Sequence, residues 1–469
     1  MIKYSWIILV LIILLGSCKP PEEIVASGAH SVRFSADTIL FDTVFSTVGT
    51  VTLRLKVYND NSNAIKIGKI YIGGGPSSPF KVIINGLETS SANDVLLLGN
   101  DSLYVLIKLL IDPHNQNLPY IVTDSIVFTT GNLSQLVHLV AWGQDATFLN
   151  DSVLTGNVIW NPTKPFVIYK SLTVDCTAVL TINAGVRLYF GANANFMIKG
   201  KLITNGTFEN QITLNTADLS KQNGVYPGQW SGIQISNSSV GNSLLWTTIS
   251  NASTGVSIFK NNLSSNPDLT ISHSIIKNMS GSAISGQTAY VNIDNSLLSN
   301  CAYNIVNFVS GGKGLWINNT FVCYSYDFFR SQPVLCLSDN SNGSNIQELS
   351  LAMANNVTWG DFVDEISMNI TPNAGKFSIT SCNNVLKTAN SAIIDTTNNN
   401  IIFDFTPNRK LNIDTIHFVD TYSYNFRPDS ISIVRHHGLI KAGYTDTDDL
   451  DGKPRNVPPD IGAYDYREN

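Results

Sequence analysis

Ala184-Gly185-Val186-Arg187-Leu188-Tyr189-Phe190 is followed by Gly200-Lys201-Leu202-Ile203-Thr204-Asn205-Gly206-Thr207, by Gln211-Ile212-Thr213-Leu214, and by Gly228-Gln229-Trp230-Ser231-Gly232-Ile233-Gln234-Ile235. Short apolar strands are broken here by Gly or Asn every few residues, which leaves no room for a helical period. Further along, Thr248-Ile249-Ser250-Asn251, Ile275-Ile276-Lys277-Asn278, Leu297-Leu298-Ser299-Asn300 and Phe321-Val322-Cys323-Tyr324 recur at steps of 27, 22 and 24 residues. Such a period signals a repeat architecture, here one coil of three short strands with their turns. Each coil would set an apolar residue inward over the previous one and place Asn251, Asn278 and Asn300 at one corner. Asn suits that corner because it tolerates left-handed backbone and bonds neighbouring backbone. About 290 residues at about 24 per coil make about twelve coils.

The ordering AGV-x-Φ-x-F, G-x-L-x-x-x-GT, x-IT-Φ and G-x-W-x-GI resembles right-handed parallel β-helix proteins of bacterial envelopes, clearly from about Asn150 to Asn345. A second resemblance lies at the end of the chain. Asp448-Asp449-Leu450-Asp451-Gly452-Lys453-Pro454-Arg455 leads into Pro459-Asp460-Ile461-Gly462-Ala463-Tyr464-Asp465-Tyr466. This is similar to the closing motif of many envelope β-helix proteins, with Asp465 where Glu is usual and Lys441 where an acid is expected. An open solenoid end exposes strand edges and apolar interior. The resemblance therefore implies a β-helix over 147–445 and a cap over 446–469, in which Asp460, Ile461, Gly462, Ala463 and Tyr464 fold over the last coil.

Upstream, Val51, Leu53, Leu55 and Val57 alternate with Thr52, Arg54 and Lys56, the pattern of a strand with one buried face. Tyr58-Asn59-Asp60-Asn61-Ser62-Asn63 supplies a turn before Ile65, Ile67 and Ile70. About seven short strands within 31–146 predict an antiparallel β-sandwich. The segment "VYNDNSNAIKIGKI" resembles Ig-like domains of bacterial envelope and ciliary proteins, which implies a spacer or binding module. The whole chain reads as all-β: an Ig-like sandwich followed by a right-handed parallel β-helix.

The first residues carry the address. A basic head, the apolar run Ile7 to Leu15 and Leu15-Gly16-Ser17-Cys18 read as a signal peptide over 1–18, too short to span a bilayer. The tetrapeptide resembles the bacterial lipobox, which implies lipidation of Cys18 and a membrane partner through that anchor. Residues 19–30, with Pro20-Pro21 and Glu22-Glu23, read as a tether. Acids behind the lipidated Cys resemble the surface-export signal of Bacteroidota, which implies an outer-membrane protein facing the cell surface, with the periplasmic face as the alternative.

Composition bounds the partners. Charged residues are 14% of the chain and the net charge is −6, with no basic run, which argues against nucleic acid or anionic lipid headgroups. Once Cys18 is set aside, Cys176, Cys301, Cys323, Cys336 and Cys382 are odd in number and lack CxxC spacing, which argues against a metal site or a disulfide framework. No cofactor is expected.

Catalytic candidates are few. Asp361 and Asp364, with Glu365 beside them, are the acidic cluster within the coils, and two carboxylates could serve glycoside hydrolysis. Asp449 and Asp451 before Gly452 suggest a calcium loop, but Thr447 and Pro458 stand where that loop needs acids. His436-His437 would point to opposite faces of a strand. Tyr303, Phe308, Trp316, Phe321, Tyr324, Tyr326, Phe328 and Phe329 crowd about one coil, as core filler or as exposed rings for sugars. Asp-Ser/Thr followed by an aliphatic residue or Thr occurs eight times, as at Asp37-Thr38-Ile39. The tripeptide resembles the O-glycosylation acceptor of exported Bacteroidota proteins. That resemblance makes Thr38, Thr43, Ser125 and Ser152 candidate acceptors at strand mouths, and plain turn chemistry is the alternative. Together these features lead to a lipid-anchored, non-catalytic scaffold binding polysaccharide or an envelope protein. The rival is a polysaccharide lyase or glycoside hydrolase.

Overall fold

The computed structural model describes residues 31–49, 52–219, 226–341, 343, 345–372, 377–388, 416–440 and 447–468, with the backbone course of 401–404. Cys18 and the tether lie outside the described residues. The chain divides into two compact units, Met1–Asp145 and Ala146–Asn469.

In the first unit the alternating pattern folds into two five-stranded sheets. One holds Arg33–Phe34, Leu53–Tyr58, Ser102–Leu109, Phe80–Ile84 and Leu87–Thr89 in spatial order. The other holds Thr38–Phe45, Leu133–Gln144, Tyr120–Thr130, Ile65–Ile72 and Ser91–Leu97. Neighbours run antiparallel, except Thr38–Phe45, which runs parallel to Leu133–Gln144. Ten strands replace the expected seven, partly because Arg33–Phe34 and Leu87–Thr89 are too short to show a period. Leu55, Val57, Ile67, Ile70 and Ile107 are fully buried between the sheets, each contributing roughly 1.5–3 kcal/mol by leaving water.

The second unit is a stack of parallel coils. A ten-stranded sheet takes one strand from each coil, and a seventeen-stranded sheet takes the others, so that the two enclose one apolar interior. Leu188, Leu214, Ile249, Ile276, Leu298, Phe321, Thr358 and Leu386 follow one another in register as a single column. Gly232, at φ 95°, shows why the G-x-W-x-GI segment needs glycine: a Cβ there would lie 1.6 Å from the Thr254 carbonyl oxygen.

Two polar ladders run along the coils. Asn251, Asn278 and Asn300 adopt left-handed backbone, with φ of 63°, 62° and 56°. Each donates its side-chain amide to the Asn one coil back, beginning with Asn251 to Asn215 Oδ1 at 2.8 Å. At a second corner the backbone N–H groups of Thr247, Ser274, Ser296, Asn319 and Asn356 donate to the side chains of Ser274, Ser296, Asn319, Asn356 and Asn384 in turn, at 2.8–3.0 Å. These bonds satisfy the turns where strand pairing stops.

The coils end earlier than expected. Among the described residues the last parallel strand is Ile401–Asp404, and 416–440 form the antiparallel hairpin Phe418–Asp420/Asn425–Pro428 and turns instead of coils up to 445. Among the described residues ten strands stack in the first parallel sheet, and two of its coils are long, 35 residues from Leu214 to Ile249 and 37 from Phe321 to Thr358.

The closing motif also lies elsewhere than expected. Rather than folding over the last coil, it runs along the flank of the ten-stranded sheet. Ala463 N donates to Thr320 Oγ1 at 3.0 Å, Gly462 N to the Asn355 carbonyl at 2.9 Å, and Asn383 Nδ2 to the His437 carbonyl at 2.9 Å. The cause is the outer face of that sheet: Leu297, Val322, Val357, Trp359 and Val385 point outward and are apolar. Ile416, Phe426, Leu450, Ile461, Ala463 and Tyr464 cover them in one buried cluster.

Candidate functional site

The strand Thr320–Cys323 runs into a loop that faces the hairpin Phe418–Asp420/Asn425–Pro428. Phe426, Tyr324, Tyr326 and Tyr422 stack there in one file, with centroid separations of 6.3, 5.2 and 4.3 Å and interplanar angles of 10°, 1° and 21°. Exposure rises along the file, from 2% at Phe426 to 38% at Tyr326 and 76% at Tyr422. Polar bonds fix it. Tyr326 Oη lies 2.9 Å from Thr421 Oγ1, and Tyr424 donates its hydroxyl to Asp327. Asp420 accepts from Tyr422 N at 3.0 Å, from Ser423 N at 3.2 Å and from the Ser423 hydroxyl at 2.6 Å. The inner rings cover one another's faces, so aromatic surface is open to solvent at the outer end of the file. The aromatic crowd noted in the sequence thus divides: Phe308, Trp316 and Phe321 fill the interior, while Tyr303, Tyr326 and Phe329 are exposed. Tyr422, the outermost ring, was missed because it lies about a hundred residues away.

The acidic candidates have other employment. Arg330, 1% exposed, forks onto both oxygens of the fully buried Glu365 at 2.6 Å each and also donates to Asp361. Asp361 accepts Ser325 N at 3.1 Å, and Asp364 accepts the Thr388 hydroxyl at 2.9 Å, so the two carboxylates turn to different partners. Burial raises the Asp361 carboxyl, but the bonds from Ser325 and Arg330 outweigh it and hold the group below the usual carboxylate range. Burial likewise lowers the Lys387 ammonium beside it, which donates to the Gly360 carbonyl at 2.5 Å.

Asp449 is buried and ringed by donors: Asp451 N at 3.0 Å, and Lys453 N, Asp465 N and Arg467 Nη2 at 3.1 Å each. Asp451 takes the fork of Arg427. N–H groups aimed at these oxygens are the reverse of what a cation requires, and no group of three or more acids, His or Cys among the described residues could hold a metal ion. Asp460 accepts His436 N at 2.7 Å and Tyr466 N at 2.6 Å, and Asp465 accepts Arg455 Nη1 at 2.8 Å. The acids of the closing motif are its internal scaffolding. His436 and His437 bond backbone carbonyls of Pro458 and Arg435 respectively. Cys176 is exposed and Cys301 and Cys323 are buried, and burial pushes the Cys323 thiol up to about 11.

A Ser-His-Asp group that the sequence did not signal sits on the flank. Arg455 donates to Asn295 Oδ1, so Asn295 Nδ2 faces His273 Nε2 at 2.8 Å. Nε2 is therefore the acceptor, and Nδ1 carries the proton toward Ser272 Oγ, 2.9 Å away. Ser272 then donates to Asp294. The order is His–Ser–Asp, with the imidazole proton pointing at the hydroxyl, so His273 cannot accept the serine proton as a general base would.

Of the glycosylation candidates, Thr38 and Ser152 open their strands, Thr38–Phe45 and Ser152–Leu154, and Thr38 is exposed. Thr43 and Ser125 are not at strand mouths; they lie half-buried within Thr38–Phe45 and Tyr120–Thr130, because each strand begins several residues earlier than its apolar run suggests. Turn chemistry is visible at two of the motifs: Asp101 and Asp124 each accept the N–H of the following Ser at 2.7 Å. The motifs at Asp395 and Asp414 lie outside the described residues.

No protein-family model matches the chain, and no curated protein matches it. Among solved structures, 27% of the chain is similar to 89% of the ASH/PapD-like domain of human CEP192, at 15% identity and a TM-score of 0.17. Another 11%-identical likeness, also at a TM-score of 0.17, pairs 24% of the chain with 25% of a family 123 glycoside hydrolase from Clostridium perfringens. Likenesses this slight carry no argument about activity. No helix among the described residues is long and apolar enough to cross a membrane.

Proposed function

We propose that this chain is a lipid-anchored scaffold of the bacterial outer membrane, at the cell surface, that binds neutral glycan without catalysis. In this reading the sandwich is Ig-like, the solenoid is a right-handed β-helix with the envelope closing motif, and Cys18 carries the lipid. Thr38, Thr43, Ser125 and Ser152 serve as glycan acceptors. The observation that carries the binding role is the file of rings ending in the 76%-exposed Tyr422. The rival lyase or hydrolase working through Asp361 and Asp364 would need the two carboxyls to converge on one substrate, and they turn to different partners, Arg330 and Ser325 for Asp361 and Thr388 for Asp364. A glycan array probed with the full chain in detergent tests the reading. Binding should fall about tenfold in Tyr422→Ala, as loss of a stacked ring predicts. Undiminished binding in that variant, or release of reducing sugar from bound glycan, refutes it.

A further inference from the structure

The outer face of the sheet built from Arg33–Phe34, Leu53–Tyr58, Ser102–Leu109, Phe80–Ile84 and Leu87–Thr89 collects five cations. Side chains alternating with the buried Leu55, Val57, Val82, Val105 and Ile107 point away from the core. Those positions hold Arg33, Arg54, Lys56, Lys81 and Lys108. Register brings them together although they are scattered along 76 residues: Arg33 faces Tyr58, Lys56 faces Tyr104, Arg54 faces Leu106, and Lys81 faces Lys108.

Counter-charge is scarce on this face. Arg33 pairs with Asp60 at 2.7 Å and Lys108 with Glu88 at 3.0 Å. Arg54, Lys56 and Lys81 meet no carboxylate among the described residues. Lys81 and Lys108 are directly opposed across two strands, and Glu88 pairs with Lys108 while Lys81 meets no carboxylate among the described residues. Tyrosines are interleaved with the cations. The Arg33 guanidinium lies 4.0 Å from the Tyr58 centroid, and the Lys56 ammonium lies 4.9 Å from Tyr58 and 5.5 Å from Tyr104. Tyr104 is 48% exposed.

We infer that this sheet face binds an acidic polysaccharide of uronate type. Its carboxylates pair with Arg54, Lys56 and Lys81, and its sugar faces rest on Tyr104 and Leu106. Charge complementarity demands an anion. The exposed Tyr104 ring beside the cations favours an anion with apolar faces, since bare phosphates would leave that ring in water. The site is separate from the Tyr326–Tyr422 file, where Asp327 and Asp420 would repel a polyanion.

The full chain in detergent is titrated over immobilised polygalacturonate, dextran and polyphosphate. Binding to polygalacturonate is expected to be the tightest of the three and to weaken with salt. The triple variant Arg54→Gln, Lys56→Gln, Lys81→Gln should lose about a hundredfold, about fivefold for each cation. Removing three cations from the solenoid by Lys170→Gln, Lys199→Gln and Lys277→Gln should leave binding intact. If the triple variant melts early, Arg54→Gln alone decides, with about a fivefold loss expected. Equal binding to polyphosphate, absence of binding to polygalacturonate, or an unchanged affinity in the folded variants would overturn the inference.

Discussion

Arg330 illustrates what one residue contributes to this fold. Its guanidinium neutralises Glu365, a carboxylate with no exposed side-chain surface, and stacks on Phe362 at 4.0 Å. Removing it strands that charge in the interior. Arg330→Ala should therefore cost about 3–5 kcal/mol in urea unfolding. Asp361, about a third exposed, adds a pH signature. Its folded pKa is lowered, so its stabilisation is present above the unfolded pKa and is lost as pH falls through the folded one. Asp361→Asn should accordingly flatten the acid limb of stability against pH between those two values. An acid limb identical to that of the native chain would show that Asp361 is not held by Arg330 and Ser325.

At the scale of elements, the strap formed by 416–440 and 447–468 is the long-range component of the second unit. Ile461 and Tyr464 close over Val357 and Trp359, and Asn295 and Asn355 bind the strap backbone through Asp448 and Leu439. The strap stabilises the flank rather than the end of the stack. Ile461→Ala, which leaves a cavity against that sheet, should cost about 2–5 kcal/mol. Limited proteolysis should then cut near the strap before the coils, whose ladders are untouched. Cleavage that begins in the coils would place the weak point elsewhere.

For the whole molecule, the proposed anchor and acceptor sites make one measurable quantity. The intact mass of protein extracted from its native membrane should match a chain starting at a lipidated Cys18, plus glycan. Cys18→Ala should abolish membrane fractionation. A mass equal to the lipidated polypeptide alone would leave the Asp-Ser/Thr motifs as turn chemistry, of the kind seen at Asp101 and Asp124.

Strand texture was legible in the residues themselves. Leu55 and Val57 are buried where alternation puts them, and Asn251, Asn278 and Asn300 occupy one left-handed corner at the spacing of the coils. Those features depend on near neighbours and on a repeated period, which a linear text carries directly. The strap, the Tyr326–Tyr422 contact, the Arg330–Glu365 pair and the basic sheet face join residues far apart, up to 102 positions in the ring file. No local period encodes such partners. The apolar residues outside the ten-stranded sheet read the same as core in sequence, because alternation fails on a strand covered on both sides. Only the folded register decided that Val322, Val357 and Trp359 face a strap, and that five scattered cations share one surface.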